Sequence, residues 1–161
     1  MTVEPTQQTA RLRPATLADR EFLVGVYRST RSEELAVTGW SEAEVGAFVR
    51  MQFDLQDRHY ADAFPDAERS VVVLGDLPIG RLYVHRGDRE IRILDIALLP
   101  EFRRRGIGRD LLEAILAEGS RSGRPVRIHV EAGNPALSLY ERLGFVHVAD
   151  EGVYRLMERP A

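Results

Sequence analysis

Apolar residues recur along the first part of the chain at the intervals typical of amphipathic helices. One stripe covers residues 17–27 and consists of Leu17, Phe22, Leu23, Val26 and Tyr27. A second stripe covers residues 45–60. Thr16 and Ser41 precede these stripes, and each is followed three residues later by an acidic residue, which is the pattern of a helix start. The pattern predicts two helices here, preceded by a short edge strand over residues 10–14.

The pattern changes in residues 70–99 to the short apolar runs typical of strands. Residues 70–74 are mostly β-branched, and residues 79–85 alternate between apolar and polar side chains. Residues 90–99 are apolar on both sides of the chain, which suits a strand in the interior of a sheet. Because turn sequences separate these runs, we expect three consecutive antiparallel strands.

The rest of the chain alternates between helical and extended patterns. A helix is predicted over residues 107–121, a strand over 126–131, a short helix with Pro135 in its first position, and strands near 145–149 and 153–158. The resulting order is β α α β β β α β α β β. This order predicts an α/β fold with a mixed, mostly antiparallel central sheet flanked by helices.

Composition and charge narrow the functional classes. The length of 161 residues suits a single domain over residues 1–161, in which residues 1–9 form a loose polar lead-in. The absence of cysteine excludes disulfides, thiolate zinc sites and cysteine nucleophiles. A net charge of −3 argues against a nucleic-acid partner. We expect a cytoplasmic protein without a membrane partner, because no apolar run has signal-peptide or membrane-helix length.

A basic, glycine-rich turn joins the central strand to the third main helix. Gly106 and Gly108 leave backbone N–H groups uncovered where a helix begins, and the helix dipole there favours an anion. Four arginines add full positive charges, namely Arg103, Arg104, Arg105 and Arg109. The turn therefore predicts a site for a pyrophosphate or another polyanion. The alternative is an ordinary helix start with solvated arginines.

Other phosphate-binding motifs fit this turn poorly. The Walker A pattern is absent, and a dinucleotide fingerprint would need glycine where Leu111 stands. Glu131 lies about where that fingerprint places its ribose-binding acid, so the dinucleotide interpretation is weak but stays open. None of the four histidines belongs to a metal-binding spacing such as H-E-x-x-H, and no metal is expected.

Two motifs together resemble those of the GNAT acetyltransferase superfamily. The first is R-x-x-G-x-G, formed by Arg103, Gly106 and Gly108 directly after a buried strand. The second runs from Asn134 to Phe145 and reads NPALSLYERLGF. They occur in the order of that family, with one helix and one strand between them. The resemblance covers roughly residues 70–158.

The resemblance implies an acyl-CoA acyltransferase fold in which the central strand is bulged and splays from its neighbour. It implies acetyl-CoA as co-substrate, with the pantetheine arm pairing with the backbone of Ile96, Ala97 and Leu98. The pyrophosphate would lie on the N–H groups of Arg104, Arg105, Gly106, Ile107, Gly108 and Arg109. Asn134 would touch the cofactor arm; its alternative is a turn-forming residue before Pro135.

The resemblance also implies direct attack of a primary amine on the thioester in a ternary complex. Tyr140 is then the candidate general acid for the leaving thiolate, and its alternative is core packing on a helix. A base is useful because free amines titrate near pH ~10.4. The candidates are His129, Asp95 and Glu131. His129 stands five residues before Asn134, where some members of that family carry the base.

Competing functions stay open at this stage. A domain of this type also suits a non-catalytic acyl-CoA sensor or partner module. Nucleic-acid binding through the arginine run is disfavoured, because aromatic residues do not alternate with the arginines. The acceptor, a small-molecule or peptide amine, is expected to contact residues 29–66. The resemblance leaves both a monomer and a homodimer open.

Overall fold

Residues 8–161 are described by the computed structural model, and within them the chain forms a seven-stranded sheet. The strands are β1 (Ala10–Pro14), β2 (Glu68–Leu74), β3 (Leu77–Arg86), β4 (Ile91–Leu98), β5 (Val126–Glu131), β6 (Val146–Glu151) and β7 (Tyr154–Arg159). Their order is β1-β2-β3-β4-β5-β7-β6, and all neighbours are antiparallel except β4 and β5. The predicted mixed, mostly antiparallel sheet is confirmed. Residues 1–7 of the predicted lead-in lie outside the described range.

Helices cover both faces of this sheet. Within the described range they are α1 (Arg20–Thr30), α2 (Ser32–Ala36), α3 (Glu42–Ala63), α4 (Ile107–Ser122) and α5 (Leu137–Arg142). The sequence did not predict α2, because its five residues are too few to show a helical stripe. None of the helices formed by residues 8–161 has the length and apolar character needed to span a membrane.

Two hydrophobic cores lie on opposite faces of the sheet, and alternation along β2 shows how they divide. Val71 and Val73 pack with α1 and α3, whereas Val72 packs with α4 and α5. Successive side chains of a strand point to opposite faces, so a strand covered on both sides needs apolar residues throughout. This accounts for the continuous β-branched run in β2.

Local capping fixes several helix ends. The Ser41 side chain accepts from the Glu44 N–H, and the Glu44 carboxylate accepts from the Ser41 N–H, as the sequence predicted. Thr16 opens a single 3-10 turn before α1, and this turn leaves Leu17 97% exposed rather than on the predicted stripe. Pro135 precedes α5 by two residues and is not its first residue, which corrects the predicted helix start.

The central strand β4 separates from β5 partway along its length. The two pair only over Ile91–Ile93, opposite Val126–Ile128. On the other side, Tyr83 of β3 lies opposite Asp95 and Val84 lies opposite Ile93, so Leu94 is an extra, bulged residue. A bulge bends the strand that contains it. The predicted splay of the central strand is therefore present, and it begins at this bulge.

Candidate active site

The splay between β4 and β5 exposes one backbone edge of β4. Ile96, Ala97 and Leu98 pair with β3 on their other side, and within the described part of the chain β5 does not pair with them. Peptide groups of a strand alternate in direction, so some N–H and C=O groups of this segment point into the opening. The opening can therefore pair with an extended ligand.

The glycine turn lies beyond the C-terminal end of β4 and opens α4. Gly106 has φ +80° and caps the helix in the left-handed conformation that favours glycine, and Arg104 has φ +60°. The first helical bond of α4 runs from Asp110 N–H to the Gly106 carbonyl. The amides of residues 107–109 therefore precede the helical ladder and are available to an anion.

Gly108 shows that space above this turn is left open. A Cβ added there would meet only Leu98 Cδ1, at 3.9 Å, and φ at this position does not demand glycine. Packing within the described residues therefore gives no reason for glycine at this position. A ligand that approaches the backbone closely, as a pyrophosphate would, supplies such a reason.

The four arginines of the turn differ in what they contact. Arg103 Nε donates to the Leu98 carbonyl at 2.9 Å and its Nη2 reaches Ser29 Oγ at 3.4 Å, so Arg103 braces the turn against β4 and α1. The Arg105 guanidinium lies over the Phe102 ring at 5.3 Å. Arg109 forms an exposed pair with a neighbouring glutamate on α4. All four arginines are exposed around the open amides, and Arg103 is the one that is also held by hydrogen bonds to β4 and α1.

Tyr140 of α5 lies at the core beneath the splay. It is 5% exposed, and its ring packs edge-to-face with Phe145 at 5.6 Å. Burial, together with the nearby negative charge of Asp95, raises the pKa of Tyr140 to about 12. Among residues 8–161, no group hydrogen-bonds its hydroxyl. The residue therefore packs in the core and still presents a protonated hydroxyl that lacks a partner there.

Two features of the second motif fix the position of α5. The Asn134 Oδ1 accepts from the Ala136 N–H at 2.8 Å and orders the turn before the helix. Gly144 has φ +92°, and a Cβ there would lie 2.7 Å from Arg159 Nε. That Arg159 nitrogen donates to the Leu143 carbonyl at 3.1 Å. Glycine at position 144 is thus required for the end of α5 to pack on β7. This packing fixes the position of Tyr140, which lies on α5.

The two carboxylates that the sequence identified both contact arginines on the α1 and α3 side of the sheet. Asp95 is ion-paired with Arg81, which is 2% exposed and also donates to Gln56 Oε1 at 2.9 Å. Glu131 Oε1 accepts from Arg31 Nη1 at 3.1 Å. These pairings place each carboxylate beside the splay in contact with a cation.

His129 is the first residue of β5 beyond its last pair with β4. Its Nε2 lies 2.7 Å from Glu151 Oε2, and its Nδ1 lies 3.4 Å from Arg92 Nη1. The short contact fits a proton on Nε2 donated to the glutamate. Nδ1 then carries a lone pair, and its distance to the arginine is too long for a strong hydrogen bond.

Two residues of this region were missed by sequence reasoning. The Tyr60 hydroxyl of α3 donates to the carbonyl of the bulged residue Leu94 at 3.0 Å, and burial with the Asp95 charge raises the pKa of Tyr60. Arg81 was assigned to the polar side of an alternating strand, but α1 and α3 cover that side and bury it. The sequence feature that could have indicated its burial is a single arginine between apolar residues of a strand.

Comparison with known proteins also indicates an acetyltransferase. The model of the acetyltransferase (GNAT) domain matches residues 66–147, just over half of the chain. Mycothiol acetyltransferase of Clavibacter sepedonicus is 41% identical over 61 residues, which are 38% of this chain and 19% of that protein. The match thus spans about a fifth of that relative's length.

Two solved structures share the fold. The PaiA N-acetyltransferase of Thermoplasma acidophilum, in complex with coenzyme A, has a TM-score of 0.70 at 20% identity and covers 95% of this chain and 99% of its own. An acetyltransferase of Thermus thermophilus has a TM-score of 0.70 at 26% identity, covering 96% and 99%. The family match, the splayed β4 and the glycine turn agree, and the chain belongs to the GNAT family of acetyltransferases, a family of acyltransferase enzymes.

Proposed function

We propose that this protein transfers the acetyl group of acetyl-CoA to a primary amine by direct attack in a ternary complex. The observation that carries the proposal is the combination of three features. The open amides lie at residues 107–109, β4 has an unpaired edge beyond Ile93, and Tyr140 packs in the same hydrophobic core as Leu98 of β4 and Ile107 of α4. They offer in turn an anion site, an extended backbone and a proton donor.

The cofactor is held by backbone more than by side chains in this proposal. The amides of residues 107–109 and the exposed arginines bind the pyrophosphate, and the backbone from Ile96 to Leu98 pairs with the pantetheine arm. The Asn134 Oδ1 already caps its own turn, so its Nδ2 is the atom that faces the arm. Open space above Gly108 supports this placement.

Tyr140 assists departure of the thiolate. The amine nitrogen attacks the thioester carbonyl, a C–N bond forms, and the C–S bond breaks. A phenol whose pKa is raised to about 12 is a weaker acid than a thiol near ~8.5. Tyr140 therefore acts mainly by donating a hydrogen bond to the developing thiolate, which accepts its final proton as the site re-equilibrates with water.

His129 is the base that the geometry favours. Glu151 orients the ring through Nε2 and stabilises the imidazolium, which leaves Nδ1 to accept the amine proton directly or through water. Asp95 and Glu131 are each paired with an arginine, and we assign these carboxylates to attracting the protonated amine. Attack then requires that the amine lose a proton, which the His129 Nδ1 accepts.

The test is Tyr140→Phe, which removes the hydroxyl and keeps the ring in its packing site. Release of coenzyme A can be followed with a thiol reagent without background, because the protein has no cysteine. We expect kcat to fall roughly 100-fold or more, with the Kd for acetyl-CoA unchanged within about twofold. Leu55→Ala is the control, since Leu55 is 52% exposed on α3. An unchanged kcat would remove Tyr140 from the mechanism. Tight acetyl-CoA binding without turnover of any amine would instead favour a non-catalytic sensor.

A further inference from the structure

A second cleft lies between α1, α2 and α3, beside the proposed transfer site. Its volume is about 380 Å³, which is within the range of small-molecule sites. Four of its eight lining residues are apolar or aromatic, namely Tyr27, Leu35, Trp40 and Phe48. This chemistry suits a flat apolar group.

Trp40 and Phe48 form the aromatic end of this cleft. Their rings meet edge-to-face at 5.1 Å, so the indole is held by a defined neighbour. Trp40 nevertheless keeps 44% of its surface exposed. A tryptophan that is oriented by packing and still partly open offers apolar area that a ligand can cover.

The charges of the cleft balance. Arg31 Nη1 lies 3.4 Å from Glu34 Oε1 and 3.1 Å from Glu131 Oε1, and its guanidinium lies 5.5 Å from the Tyr27 ring centroid. Arg31 and Glu34 therefore neutralise each other within the lining. A polyamine needs a row of unpaired carboxylates, which this lining does not offer among the described residues.

Arg31 also joins the cleft to the transfer site. Its partner Glu131 lies on β5, two residues after His129 and on the same face of the strand. An acceptor with its apolar end between Trp40 and Tyr27 would extend past Arg31 towards Glu131. Its amino group would then meet the carboxylates and the imidazole assigned to it above.

We propose that this cleft binds the apolar end of the acceptor and that the acceptor is a small primary amine carrying an aromatic ring. This inference rests on the proposed acetyl transfer. It selects an arylalkylamine over a polyamine and over an unbranched aliphatic amine, because only the first has a flat apolar group for the aromatic walls.

Binding can be measured without catalysis, because Trp40 is the only tryptophan in the chain. Emission excited near 295 nm therefore reports on the cleft directly. Titration of the protein with 2-phenylethylamine, in the presence of coenzyme A, should give a saturable change in emission. Butylamine and spermidine should give no saturable change at the same concentrations. The absence of a saturable change with 2-phenylethylamine would overturn the inference.

Turnover gives a second readout. We expect kcat/KM for 2-phenylethylamine to exceed that for butylamine by roughly 10-fold or more, the effect of burying one aromatic group. Trp40→Ala should raise KM for 2-phenylethylamine about 10-fold and leave KM for butylamine unchanged. Leu55→Ala is the matched control, because Leu55 is 52% exposed on α3 and does not line the cleft. Equal kcat/KM values for the two amines would overturn the inference.

The two proposals fail in different ways. If acetyl-CoA binds, and if spermidine or butylamine is acetylated with the same kcat/KM as 2-phenylethylamine, the aromatic preference is wrong and the proposal of acetyl transfer stands. If acetyl-CoA does not bind, acetyl transfer is wrong, and a saturable change in Trp40 emission still reports whether the cleft takes an aromatic amine.

Discussion

Loss of the Asp95 carboxylate should destabilise the fold strongly, because its partner Arg81 is buried. Arg81 is 2% exposed and lies among the rings of Tyr27, Phe53 and Tyr83. Its Nη2 serves Asp95 and a glutamine, and its Nε has no acceptor among residues 8–161. In Asp95→Ala the guanidinium would keep its charge in an apolar site with only the glutamine as partner.

The size of the effect follows from that burial. Breaking a buried ion pair by removing one partner lowers the free energy of unfolding by about 3–5 kcal/mol. For a domain of this length, that corresponds to a fall in Tm of roughly 6–20 °C. Urea denaturation followed by circular dichroism measures the free energy, and a thermal scan measures Tm.

Two further variants make this test specific. Glu21→Ala breaks the pair of Glu21 with Arg50, whose side chains are 70% and 50% exposed, and it should lower stability by only about 0.2–1 kcal/mol. The double variant Arg81→Met with Asp95→Leu leaves no unpaired charge and should recover most of the loss. If Asp95→Ala were no more destabilising than Glu21→Ala, the argument from the buried cation would be refuted.

Two other perturbations have defined outcomes. Tyr60→Phe leaves the Leu94 carbonyl at the bulge without its hydrogen-bond donor. We expect the free energy of unfolding, measured by urea denaturation, to fall by roughly 0.5–1.5 kcal/mol, and not to fall in Tyr154→Phe. Equal stability of the two variants would contradict the role given to the Tyr60 hydroxyl. The hydrogen bond from Arg13 and, as the next largest cause, the hydrogen bond from the Thr16 amide lower the pKa of Asp19 from 3.8 to about 2. Since the folded-state pKa is the lower one, this stabilisation is complete above pH 3.8 and is lost as pH falls towards 2. Unfolding measured between those pH values should therefore depend less on pH in Asp19→Asn than in the wild type, and an identical slope would contradict the assignment.

Features set by neighbouring residues could be predicted from the sequence. The cap at Ser41 depends on a residue three positions away, and the left-handed φ at Gly106 is a property of one residue. The alternating and continuous apolar runs gave the order of strands and helices along the chain, because burial of one or both faces leaves a period in the sequence. The R-x-x-G-x-G turn and the segment with Asn134 and Tyr140 were found by their resemblance to GNAT motifs.

Features that depend on distant pairings could not be predicted. Arg81 meets Asp95 fourteen positions away because two strands pair with a bulge, and α1 and α3 then bury Arg81. His129 meets Glu151 across an intervening strand, β7. Arg103 donates to the Leu98 carbonyl of the preceding strand, a contact that its spacing in the sequence did not indicate. The sequence identified the chemical groups, whereas the sheet register determines which groups meet.

The central claim is that the cleft between the glycine turn and β4 binds acetyl-CoA, and thermal unfolding with added ligand tests it most directly. A ligand at 100 times its Kd stabilises the native state by about 2.7 kcal/mol. For a chain of this length, that is a rise in Tm of roughly 5–10 °C. We predict this rise with acetyl-CoA and none with ATP or NAD at the same concentration. No rise with acetyl-CoA, together with a clear rise with ATP or NAD, would contradict the assignment of the glycine turn and the mechanism derived from it.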